Sequence, residues 1–203
     1  MCHPAAHTLG LYPQTEWNDT TTTTTEHVAS RPAQAGQRAD RHRNDPRTGV
    51  AMTTHVTSPQ ALLDLAGKPL GTSRWVEMTQ DQVNLFADAT GDHQWIHVDP
   101  ERAASGPFGT TIAHGYLTLS LAPVFLAELL QVDNVTMAIN YGLEKVRFPA
   151  PVPVGSRLRA VGELVSARAR GKGETIEAVI RLTYEVEGSE RPACVADLLV
   201  HYR

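Results

Sequence analysis

Between residues 175 and 186 apolar and polar side chains alternate. Ile176, Ala178, Ile180, Leu182 and Tyr184 share one side; Val179, Arg181, Thr183 and Glu185 share the other. A period of two predicts a strand with one buried face. Residues 157–168 and 193–202 read as strands as well, and Gly171-Lys172-Gly173 and Gly188-Ser189-Glu190 supply hairpin turns between the three. Further upstream, residues 137–141 and 144–148 are short β-type runs parted near Gly142. Pro151-Val152-Pro153-Val154-Gly155 is a rigid turn. The last third of the chain is therefore expected to be an antiparallel sheet.

Ahead of it the period changes. Residues 112–130 are apolar enough to raise the question of a membrane span, but they contain His114, Gly115, Pro123 and Glu128 and are barely long enough to cross. They read instead as a helix from about residue 115 to 130, buried inside a soluble protein with no membrane partner. A helix apolar nearly all round must be surrounded, and a strongly curved sheet wrapped around it meets that need, an α+β architecture. A second helix starts at Thr79, which with Gln82 makes a capping-box pattern. Val83, Phe86 and Ala87 give it one apolar face, and Thr90-Gly91 stops it. Residues 92–100 read as a loop leading into an extended piece, 101–104 as one helical turn, and 106–109 as a loop. Ser58-Pro59 caps a short helix that ends at Gly67, and residues 74–78 suit a strand.

Residues 1–51 show neither period. Thr20 to Thr25 is low complexity, and residues 31–47 hold no apolar side chain larger than Ala. Such a segment cannot bury enough surface to offset its ordering entropy. Two readings stand side by side: an interaction tail, or a chain whose translation begins at Met52. The folded domain is expected over residues 52–203. A net charge of -4 with no basic block gives no sign of a nucleic-acid partner. The two cysteines, Cys2 and Cys194, have no partner at metal-ligand spacing and suit a reducing, cytoplasmic setting. His3, His7, His27 and His42 are too irregularly spaced for a metal site, and no metal is expected.

Asp92 and His97 are the candidate chemical pair. Taken alone, the first reads as a turn residue after a glycine and the second as a satisfied, partly buried histidine. Together they suit the addition of water to an α,β-unsaturated thioester. That reaction needs a base for the attacking water, an acid for C2, and a donor for the charge that develops on the thioester oxygen. An imidazole and a carboxylate sharing one water supply the first two. Gly115, at the start of the apolar helix, offers the third. Its free amide is an oriented donor, and the absent side chain permits close approach.

Gly91-Asp92-His93-Gln94-Trp95-Ile96-His97 resembles the Gly-Asp-x-Asn-Pro-apolar-His motif of the MaoC-like, R-specific enoyl-CoA hydratases. Ile112-Ala113-His114-Gly115 resembles that family's helix-opening segment, and Phe148 to Gly155 its strand-turn signature. The likeness runs from Arg74 to the C-terminus. It implies a hot-dog fold, a homodimer, no cofactor, an enoyl-CoA substrate and a (3R)-hydroxyacyl-CoA product. Carried over, the catalytic pair is Asp92 and His97 and the oxyanion donor is Gly115. Gln94 and Trp95 depart from the usual Asn and Pro, in a wording similar to the nodulation-protein-N branch, which points to them as substrate-binding positions that set acyl preference. Asn140, Tyr141 and Gly142 either line the acyl pocket or simply end a strand. His93 reads as a solvent-facing loop residue, His114 as packing or capping near the helix start, and Arg147 as the partner of a nearby carboxylate or of substrate phosphate. Three other functions stay open. One is dehydration on acyl-carrier protein, although the dehydratases of the other hot-dog branch carry their acid on the central helix, where only Glu128 lies here. The others are thioester hydrolysis and a non-catalytic subunit of a heterodimer, which would be expected to lack the Asp or the His.

Overall fold

The computed structural model describes residues 53–203. The expectations for residues 1–51 and for a start at Met52 lie outside the described residues. In chain order the elements are β1 (Thr54–Val56), a 3₁₀ helix (Pro59–Leu65), β2 (Lys68–Thr72), β3 (Val76–Glu77), α1 (Gln80–Thr90), α2 (Trp95–Val98), α3 (Pro100–Ala104), α4 (Gly115–Ser120), α5 (Ala122–Leu129), β4 (Leu130–Val132), β5 (Ala138–Arg147), β6 (Arg157–Arg170), β7 (Thr175–Val186) and β8 (Cys194–Tyr202). A six-stranded antiparallel sheet runs β2-β6-β7-β8-β5, with β3 also paired to β6. β1 and β4 form a separate parallel pair. The sheet packs one face against the apolar segment α4–α5, which is the hot-dog arrangement.

The alternation along β7 becomes a core. Ile176, Ala178, Ile180, Leu182 and Tyr184 are all buried, and Leu158, Ala160 and Leu164 of β6 and Ala196, Leu198 and Val200 of β8 join them. Against this face lie Thr118, Ala122, Phe125 and Leu129, which fall on one stripe of the helical segment and are themselves buried. Phe125 meets the Tyr184 ring edge-on at 5.4 Å. The approach is close at Gly162 of β6, where an added Cβ would stand 2.9 Å from Leu129 Cδ1.

The helix expected over residues 115–130 is two helices, broken at Leu121. Pro123 is the cause. It has no amide to give the Leu119 carbonyl, and its ring crowds that oxygen. The Tyr184 hydroxyl donates to the Leu119 carbonyl instead, at 3.3 Å. Glu128, a carboxylate on this apolar segment, takes the Arg74 amide at 2.9 Å and the Arg74 guanidinium at 2.8 Å.

Other expectations change in detail. Residues 137–141 and 144–148 are one strand, β5; register shifts at Gly142 and between Leu143 and Lys145 bend it without ending it. The strand expected over 74–78 shrinks to β3. β2 was not expected, since its Pro69 and Gly71 disguise it, but both suit the sheet edge that it occupies. The helix after Ser58 is 3₁₀, and the Ser58 side chain makes no capping bond. Residues 95–98 are a helical turn, not an extended piece. Among the described residues no helix is long and apolar enough to cross a membrane. The apolar segment is also less surrounded than expected. The sheet covers one side only, leaving Tyr116 73% and Val124 48% exposed. β5, the other sheet edge, is exposed along almost its whole length.

Phe125→Ala removes a fully buried ring from the helix–sheet contact and is expected to cost about 3–5 kcal/mol. Tyr184→Phe loses only the bond to Leu119 and should cost about 1 kcal/mol. Urea unfolding of each variant measures both, and equal costs would contradict the assigned packing.

Candidate active site

Gly91 ends α1 in the left-handed conformation, φ 76°, and turns the chain so that Asp92 follows in an exposed loop. Gln94 caps α2, and the single turn that follows brings His97 inward, where it is buried. His97 Nδ1 lies 2.7 Å from the Ile112 carbonyl oxygen. A carbonyl only accepts, so Nδ1 carries the proton and Nε2 keeps a free lone pair. The backbone of α2 is held from both sides. Gln80 of α1 donates to the His97 carbonyl at 2.8 Å and accepts from the Thr111 hydroxyl at 2.6 Å, while the Ile112 amide donates to the Ile96 carbonyl at 3.0 Å.

His114 stands at the N-cap of α4, but its side chain makes no capping bond. Its Nε2 lies 2.9 Å from the Asp92 carbonyl oxygen, and its ring stacks on His97 with centroids 3.8 Å apart. The role expected for it, packing or capping alone, is therefore incomplete. The structure brings an Asp92 carboxylate oxygen and one ring nitrogen each of His97 and His114 within 4.8 Å of one another. Such a trio could in principle hold a metal ion. Nearly parallel stacked rings, inclined at 27°, direct their in-plane lone pairs side by side rather than onto one point, a geometry better suited to hydrogen-bonding water than to tetrahedral coordination.

A cavity of about 280 Å³ opens beside this trio. His97, Ile112, Gly115, Thr118, Phe108 and Phe148 are among the residues that line it. Gly115 is the first residue of α4, so its amide has no acceptor within the helix. A Cβ there would sit 3.3 Å from the Phe148 ring, tight enough that glycine keeps the space open.

The remaining sequence candidates are placed elsewhere. Gln94 is exposed, and Trp95 packs on Gly106 with the Arg102 guanidinium 4.5 Å above its ring, bracing the loop that carries Phe108. Neither lines the cavity. Asn140 and Gly142 line a different hollow of about 390 Å³ with Leu119, Pro123 and Leu143. Tyr141 stacks on His201 at 4.1 Å. His93 is exposed and pairs with Asp88 at 2.9 Å. Arg147 donates to the Val146 carbonyl rather than to a carboxylate. Sequence reading missed Gln80, Thr111 and Phe108. The first two act through contacts distant in sequence, which no local pattern reveals; the exposed aromatic in Gly106-Pro107-Phe108-Gly109 was a signal left unused.

Residues 62–186 match the family model described as the MaoC like domain. The chain belongs to the MaoC-like family. It is 63% identical over 137 residues to 3-hydroxyacyl-thioester dehydratase Z of Mycobacterium tuberculosis, an overlap of 68% of this chain and 90% of that one. It is 43% identical over 145 residues to Nodulation protein N of Rhizobium meliloti, covering 70% of this chain and 89% of that one. The (R)-hydratase from A. caviae involved in PHA biosynthesis superposes with a TM-score of 0.54 at 24% identity, covering 66% of this chain and 94% of that one, and so shares its fold. This MaoC-like chain is thus a hydro-lyase of the dehydratase/hydratase kind, built on a hot-dog fold.

His93 and His97 are shifted in opposite directions. Burial lowers the His97 pKa from 6.5, against the Ile112 bond that raises it; the adjacent His114 lowers it further and Asp92 raises it. The Asp88 hydrogen bond raises that of His93 above 6.5. NMR titration should therefore find His97 with a midpoint below about 6.5 and His93 above it; the reverse order would contradict the geometry. Because the folded state holds His97 with a lowered pKa, its stabilising contribution is present above the unfolded value. It is lost as pH falls through the folded one.

Proposed function

We propose that this MaoC-like chain hydrates trans-2-enoyl-CoA to (3R)-hydroxyacyl-CoA, and dehydrates it in the reverse direction, with water held between Asp92 and His97. The observation that carries this reading is the convergence of the Asp92 carboxylate and the unprotonated face of His97 beside a cavity walled by Gly115. The water oxygen attacks C3 while His97 Nε2 takes its proton. Charge that develops on the thioester oxygen is met by the Gly115 amide, strengthened by the α4 dipole. One member of the pair returns a proton to C2 on the same face. The net change is H and OH added across one double bond, with no cofactor in any step. The R configuration is supported by the resemblance and by the (R)-hydratase that shares the fold.

The thioester carrier is proposed as CoA. The name of the dehydratase Z relative specifies a thioester without a carrier, so acyl-carrier protein is the second reading. The partner is proposed as a second copy of this chain. Nine of the ten residues of the edge strand β5 are exposed, Ile139 and Leu143 among them, and Tyr116 and Val124 are exposed on the helices. A cytoplasmic enzyme fits the lone described cysteine, which is free and buried.

Hydration of crotonyl-CoA and of a longer enoyl-CoA, followed by loss of enoyl absorbance, tests the assignment. Asp92→Asn and His97→Gln should each lose at least about a hundredfold in kcat, the scale of a lost acid–base group. Full activity in either variant would sink the mechanism. Activity on carrier-bound substrate alone would transfer it to the second reading. Sedimentation should give a dimer, and Leu143→Lys should shift it toward monomer; a wild-type monomer would refute the association.

A further inference from the structure

We infer that His114 is a positioning residue which sets Asp92 and His97 against each other as a neutral ring protonated on Nε2 alone. The inference rests on the hydratase reading above and adds a third side chain to it.

The geometry assigns each ring atom a task. Nε2 faces the Asp92 carbonyl oxygen at 2.9 Å and must therefore donate. That bond ties down the main chain of an exposed loop at the residue that carries the carboxylate. The face of the ring lies on His97 at 3.8 Å, and its far side meets Phe86 at 5.0 Å. His97 is held in turn by its own bond to Ile112. One ring thus fixes the Asp92 backbone and the plane of His97, and so the spacing of the pair.

Two simpler roles fit less well. As a helix cap, the side chain does nothing: the Thr118 amide bonds the His114 main-chain carbonyl at 3.0 Å, and any residue supplies that. As packing, a phenylalanine would fill the same stack. His114 instead leaves Nδ1 buried without a partner. A stranded buried acceptor is a cost that native structures seldom carry without a reason. It is what remains when the single proton of a neutral imidazole is committed to Nε2. A second proton would put a cation face to face with His97, whose lone pair the reaction needs.

The test uses the full chain and two variants. His114→Phe keeps the stack and loses the donor. His114→Gln places an amide donor near the Nε2 position and loses the ring. His114→Phe should fold with a wild-type circular dichroism spectrum and keep KM within about threefold. Its kcat should fall about thirtyfold or more, within the range that a misplacement near 1 Å produces. His114→Gln should recover most of that loss. Wild-type kcat in His114→Phe, a loss confined to KM, or no recovery in His114→Gln would overturn the proposal. Side-chain ¹⁵N spectra of the wild type give a readout independent of turnover. His114 should show a bare Nδ1 and a protonated Nε2, and His97 the opposite tautomer. A proton on His114 Nδ1 would overturn the proposal whatever the substrate. Undiminished activity in Asp92→Asn and His97→Gln would instead fail the hydratase reading, and the two failures are told apart.

Discussion

Residues 111–113 are a short extended piece on which the rest of the site depends. Ala113 donates to the Val152 carbonyl at 2.8 Å and receives its path from a bridge between Ile112 and Pro153, while the Val154 amide returns to the Thr111 carbonyl at 2.9 Å. That strip is thereby bonded to the Pro151–Gly155 turn, which leads directly into β6. From its other side it supplies the Ile112 carbonyl to His97, the Ile112 amide to Ile96 and the Thr111 hydroxyl to Gln80. Its next two residues are His114 and Gly115. His97, the Ile112 carbonyl that orients it and the helix start are therefore referenced to one length of backbone, itself referenced to the sheet. Precise placement on rigid elements is what acid–base chemistry requires.

The same arrangement sets the electrostatics. Burial favours the neutral form of His97, which is the form with a lone pair to offer. Asp92 sits at the exposed end of the same stretch. The pair thus divides between a buried imidazole and an exposed carboxyl group, five positions apart in the chain. α2 is only four residues long and could not hold that geometry alone. Gln80, the Ile112 carbonyl and His114 supply what its length cannot.

Much of this was legible in the sequence where the cause is local. The Thr79–Gln82 capping box, the Gly91 stop and the β7 alternation appear in the structure as read. Asp92 and His97 stand close together, and His97 and Gly115 line one cavity that Asp92 does not reach. Legibility failed where distant contacts decide. β2 holds Pro69 and Gly71 against propensity because β6 offers it an edge. α2 has no helical period to detect in four residues. Pro123 was weighed only against a membrane span, and the structure shows both the break it makes in the apolar helix and Tyr184 filling the vacated bond. His114 read as packing because its partner, the Asp92 carbonyl, is main chain and carries no sequence signal. Trp95 looked like a substrate contact by its place in the motif, whereas its ring is committed to Gly106 and Arg102.

The apolar helix carries one further consequence. Its buried stripe, Thr118, Ala122, Phe125 and Leu129, is matched to the sheet, yet Tyr116 and Val124 on its other side remain in water. A mostly apolar helical segment exposed on one side is a poor solution for a lone chain. The exposed side also borders the candidate site. Tyr116 is next to Gly115 in sequence and meets Phe148 of the cavity wall edge-on at 6.2 Å. Phe148 follows directly on β5, the uncovered edge strand. In the dimer proposed above, the surface that association would bury thus runs to the rim of the cavity, so that pairing of two β5 edges and closure of the substrate site become one event rather than two. On that proposal the exposure of β5 is not a defect of the fold but the part of it that a second copy would cover, together with the rim of the cavity.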